Sequence, residues 1–136
     1  MLDFATIEQA RTCWVDLGPQ FHEQGPGGET QRVEVLVRAV TPKEGEIFRQ
    51  GMVRAGITAK DGEIQPGKLR EFCEALAEKY VIDWRGPIRL GANENPPYSS
   101  KDFARALLAS TTALKAVTEA IGDEQRFFVR HGTGQT

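Results

Sequence analysis

Chemistry in this chain would have to come from two histidines, two cysteines and 19 acidic residues. A hydrolase or transferase needs a nucleophile beside a base, paired carboxylates, or a metal cluster held in a pocket. His22 falls in a glycine- and proline-rich loop and His131 in a polar closing segment. Both are expected to stand in solvent without the rigid partner that orients a catalytic imidazole. Cys13 and Cys73 are far apart, and neither forms a C-x-x-C pair nor sits at ligand spacing from a histidine, which predicts two free thiols rather than a bridge or a zinc site. Cys73 lies inside an apolar helical stripe and is read as a core residue, because a reactive thiol wants a positive, accessible setting. The acidic residues are scattered, with no D-x-D or H-x-x-E arrangement. Gly25-Pro-Gly-Gly28 lacks the Gly-Lys-Ser/Thr ending and the following helix of a phosphate-binding loop. The reading is therefore a non-enzyme: no catalytic residue, no cofactor and no metal is assigned.

One segment remains, Asp83-Trp84-Arg85-Gly86-Pro87. Tryptophan at a helix exit either plugs the bottom of a core or is an anchor for a partner, since Trp, Tyr and Arg dominate interface hot spots. The residues assigned to partner binding are Trp84, Arg85, Tyr98, Phe103 and Leu107.

The elements that must position them follow from pattern. A chain of 136 residues suits a single domain over 1–130, divided into a β-hairpin portion at 1–41 and a helical portion at 42–130, with a flexible tail at 131–136. Cys13, Val15 and Leu17 share one strand face, and Val33, Val35, Val37 and Ala39 share another, with a loop from Gly18 to Thr30 between them. Thr41-Pro42-Lys43-Glu44 is a capping-box start for a short first helix. Lys60-Asp61-Gly62-Glu63 marks a turn. Leu69, Phe72, Cys73, Leu76 and Tyr80 form one stripe of a helix running from Gly67 to about Asp83, its Glu71 and Glu74 side solvated. A polar loop with Pro96 and Pro97 follows. Ser99 and Asp102 then cap a short helix, and a final helix runs from about Thr111 to Phe128. The fold class expected is α+β and mostly helical, an N-terminal hairpin followed by three to four helices.

With 17 basic against 19 acidic residues and a net charge of -2, nothing attracts a polyanion, so no nucleic acid is expected as partner. No apolar run approaches the roughly 18 residues of a membrane span and no leader pattern opens the chain, which predicts a cytoplasmic protein without a membrane partner.

From Leu69 to Ile121 the order of features resembles the tail assembly chaperones of long-tailed bacteriophages. These features are an amphipathic helix, the exit Val81-Ile-Asp-Trp-Arg-Gly86, a polar loop with asparagine and proline, Pro97-Tyr98-Ser99, a Phe-Ala-x-x-Leu-Leu helix from Phe103 to Leu108, and a closing helix. The likeness spans about the second half of the chain, and the loop at 18–30 has no counterpart in it. It implies a protein that binds the tape measure protein, keeps this long helical client soluble until the tail tube forms around it, and acts in the host cytoplasm without entering the finished virion. It also implies self-association and contact with other tail proteins, and a longer frameshifted form in some members. The alternative is another virion assembly part: a connector, tail-completion or tail-tube-associated protein.

Overall fold

Valine-rich alternation in the first forty residues produces a strand pair, and the structure adds a third strand from much further along. The computed structural model describes residues 12–122 in full and the backbone of 7–9 and 128–130. In chain order the elements are β1 (Ile7–Gln9), β2 (Thr12–Asp16), a 3-10 turn (Pro19–Phe21), β3 (Glu23–Gln24), β4 (Thr30–Gln31), β5 (Glu34–Arg38), α1 (Pro42–Arg54), α2 (Leu69–Lys79), β6 (Val81–Arg85), β7 (Arg89–Leu90), β8 (Asn93–Glu94), α3 (Ser100–Ala109), α4 (Thr111–Gly122) and β9 (Phe128–Arg130). The class is mixed α+β, with four helices and several small antiparallel sheets among the described residues. It is not mostly helical, since among the described residues helix makes up 44% and strand 23%.

The main sheet has the order β2-β5-β6, with both pairings antiparallel. Two further expectations change here. The N-terminal strands are not a free-standing hairpin, because β6 completes their sheet. Val81 to Arg85 is not merely the tail of a helix: α2 stops at Lys79, Tyr80 forms its C-cap, and the chain turns directly into β6. The physical reason is non-local. Val81 pairs with Val37 and Trp84 with Val35, so burial against a strand from the first third of the chain outweighs local helical continuity. The loop at 18–30 carries its own small hairpin, β3-β4. The last helix ends at Gly122 rather than Phe128, and Phe128 lies in β9, paired with β1. The expected tail at 131–136, with His131, lies outside the described residues.

The core forms where the inner face of the sheet meets α2, α3 and α4. Val15, Leu17, Val35, Val37 and Val81 come from the strands and their ends. Cys73, Ala77, Phe103, Ala104, Leu107, Ala113, Val117 and Ala120 come from the helices. Ala77 on α2 and Ala104 on α3 are small enough to let these two helices pack closely. Fully burying a Leu or Phe side chain is worth about 1.5–3 kcal/mol, so the large side chains carry most of this stabilisation.

The helix starts behave as their residue types dictate. Thr41 and Glu44 form both halves of a capping box on α1. Ser99 accepts from the Asp102 amide at the start of α3. The α1 helix is longer than its two glycines suggest, because Met52 is buried and Phe48 meets Tyr80 edge-on at 4.8 Å. Arg38 ties this end together: its Nε donates to the Lys79 carbonyl at 2.8 Å, closing the last turn of α2, and its guanidinium pairs with Glu44. Glu71 departs from the solvated face expected for it, since its Oε2 is buried with no hydrogen-bond partner among the described residues. No helix among the described residues is long and apolar enough to cross a membrane.

Candidate functional site

Trp84 organises an apolar concavity of the fold. Its ring packs against the core from β6, meeting the edge of Tyr98 at 5.0 Å and an interplanar angle of 77°. The indole N–H donates to the Pro96 carbonyl at 2.8 Å, so the polar end of the ring is satisfied by the loop that passes it. Tyr98 in turn leans on Phe103 at 6.1 Å and donates its hydroxyl to the Ala77 carbonyl of α2 at 2.7 Å. Burial pushes the Tyr98 phenol well above its ordinary range, so it remains a neutral donor. The paired prolines that forbid helix in this loop also hold Tyr98 against the ends of three elements.

Trp84 borders an open cleft of about 250 Å³. Leu17, Val35 and Phe103 bring the core to its surface, and Phe21, Val33, Pro87, Ile88, Leu90 and Ala106 complete the apolar lining. Arg89 and Asp102 are the charged groups on it. A dry apolar cavity of about 150 Å³ accepts benzene, so this cleft has room for one large apolar side chain. A polar depression beside it is lined by Glu23, Arg89, Glu94 and Asn95. A more open surface by Arg49, Arg54 and Lys60 lies at α1.

The five residues assigned to partner binding have different fates. Trp84 is half-buried and lines the cleft. Phe103 is 2% exposed and reaches the lining from the core, while Leu107, at 1% exposed, is a core residue and does not line the cleft. Tyr98 supports Trp84 through its ring. Arg85 points to the opposite face of the sheet: its guanidinium lies 3.9 Å from the Trp14 ring centroid and its Nε pairs with Glu34 at 3.0 Å. Trp14, Phe21, Ile88 and Leu90 are additions of the structure. Alternation does offer a signal for Trp14, because a strand that turns Cys13 and Val15 inward must turn Trp14 outward. Phe21, Ile88 and Leu90 belong to loops and to very short elements, which have no periodicity to read.

His22 is better held than a loop histidine is expected to be. Its Nε2 lies 3.0 and 3.1 Å from the two carboxylate oxygens of Asp16, and Arg32 reaches the same carboxylate at 3.7 Å. Burial raises the Asp16 carboxyl, but the Gly18 amide, His22 and Arg32 outweigh it and hold the group below its ordinary value. No hydroxyl hydrogen-bonds to His22 among the described residues, so the pair fastens the loop start to β2. Cys73 is buried, and burial, followed by the Glu74 charge, pushes its thiol up and keeps it protonated. Among the described residues no group of three His, Cys, Asp or Glu side chains could hold a metal ion. No family model, curated protein or solved structure matches the chain.

Proposed function

We propose that the chain is a tail assembly chaperone of a long-tailed phage or prophage. It binds the tape measure protein stoichiometrically in the host cytoplasm and keeps it soluble during tail morphogenesis. The observation that carries this reading is convergence: Trp84 and Phe103, landmarks of the resemblance that are well separated along the chain, line one open apolar cleft. An amphipathic client helix would seat one large apolar side chain there, with its flanking polar residues meeting Arg89 and Asp102. Burying such a side chain contributes about 1.5–3 kcal/mol, so an extended client needs many chaperone copies. No turnover, cofactor or nucleic acid enters this account.

Co-expression with the tape measure protein encoded beside it tests the reading. The expected result is a soluble complex that co-purifies, and Ile88→Asp, which puts a charge on the cleft lining, should abolish recovery while the circular dichroism of the chaperone is unchanged. An insoluble client with no complex, or full binding by Ile88→Asp, overturns the reading. Mass spectrometry of purified virions adds a second check, since a chaperone should be missing from particles that retain a connector or tail-completion protein.

A further inference from the structure

The apolar cleft and the polar depression beside it share a wall. Pro87, Ile88 and Arg89 line both, so an occupant of the first can reach into the second. The loop at 18–30 contributes to each of them: Phe21 lines the cleft and Glu23, two residues further on, lines the depression. This loop is the segment that has no counterpart in the family resemblance. It is held in place at both of these residues, by the contact of His22 with Asp16 and by the pairing of Glu23 with Gln31 across β3-β4.

Three carboxylates, Glu23, Glu94 and Asp102, and one guanidinium, Arg89, line the joined site. Most of this charge is already matched within the chain. Arg89 donates to Glu94 at 3.2 Å, its register partner across β7-β8, and Arg105 lies 3.8 Å from Asp102. An anion seeking Arg89 would have to displace Glu94. Glu23 is exposed and has no ion-pair partner among the described residues. One unmatched negative charge therefore stands beside an apolar cavity, where it repels an acidic flank on an entering segment and attracts a basic one.

We infer that the loop at 18–30 selects what the cleft binds: a helical segment whose large apolar side chain has a Lys or Arg three or four residues away. Positions at that spacing are neighbours on one helix face, so the apolar side chain enters the cleft while the cation meets Glu23 in the depression. The stem of a lysine would cover the shared wall of Pro87 and Ile88 and leave its ammonium in water. This inference rests on the client reading proposed above and adds to it which segments of the client are bound.

Overlapping synthetic peptides that span the neighbouring tape measure protein, titrated against the full chain at low salt, test this beside the whole-client complex. Peptides that bind should carry the apolar-basic pair, and exchanging their basic residue for Glu should weaken binding by about tenfold. Glu23→Gln should weaken it by about threefold and Glu23→Lys by about tenfold, with both differences shrinking in high salt. Glu78→Lys makes the same change of net charge on the exposed side of α2, lines neither depression, and should bind as wild type does. The Glu-bearing peptide should regain affinity for Glu23→Lys, because the opposite-charge pair is restored in reverse. Circular dichroism establishes that each variant is folded. If neither the peptides nor the whole client bind the wild type, the client reading and this inference fall together. A whole-client complex that Ile88→Asp abolishes but Glu23→Lys leaves at full affinity overturns this inference alone, as do bound peptides indifferent to the exchange of Lys for Glu.

Discussion

Tyr98 connects three parts of the fold through one ring and one hydroxyl, whereas Leu107 fills the core through packing alone. Their substitutions should therefore report different terms. Tyr98→Phe keeps the packing against Trp84 and Phe103 but removes the 2.7 Å bond to Ala77, and should lower stability by about 1–2 kcal/mol in urea unfolding. Leu107→Ala empties a site that is 1% exposed and should cost about 2–5 kcal/mol in the same measurement. At this scale sequence is an uneven guide. The stripe on α2 points to Cys73 and Leu76 as core, and both are buried. Phe103 and Leu107 stand out in the sequence but are assigned there to a partner, because an apolar position on an amphipathic helix looks the same whether it meets the core or a client.

Helix boundaries are legible where a side chain itself makes the boundary. Thr41 and Ser99 start α1 and α3 by their own hydrogen bonds, and such caps are local chemistry. The strand β6 is not legible, because its residues follow a helix without a break and their partner is β5. Gly86, just after β6, shows how tightly this joint is made. Its φ of 115° lies in the range that favours glycine, and a Cβ there would lie 2.3 Å from the Arg32 carbonyl oxygen. Gly86→Ala should cost about 1–3 kcal/mol from backbone strain alone, with the collision adding to it. Thermal unfolding would check this, and a variant as stable as wild type would mean that the segment between β4 and β5 yields freely.

Over the whole molecule, the α+β class is readable from the change of period between the valine-rich start and the stripes that follow, whereas the cleft is not, since its lining comes from separate segments of the chain. The long loop after β2 is fastened at several points: His22 to Asp16, the Leu17 amide to the Val33 carbonyl, and Gln20 to Ser110. Asp16 has a lowered folded-state pKa, so its contribution is full above the unfolded value of about 3.9 and is lost as pH falls through the lower folded value. Stability measured down through this range should fall less steeply for Asp16→Asn than for wild type. The fastened base leaves the tip independent. The Gly28 amide donates to the Gly25 carbonyl in the turn between β3 and β4, and a side chain at 28 would meet nothing within 4 Å. That tip is a ready splice point: a short affinity tag inserted between Gly27 and Gly28 would be carried on an anchored stalk, giving a handle for pulling down assemblies without touching either terminus.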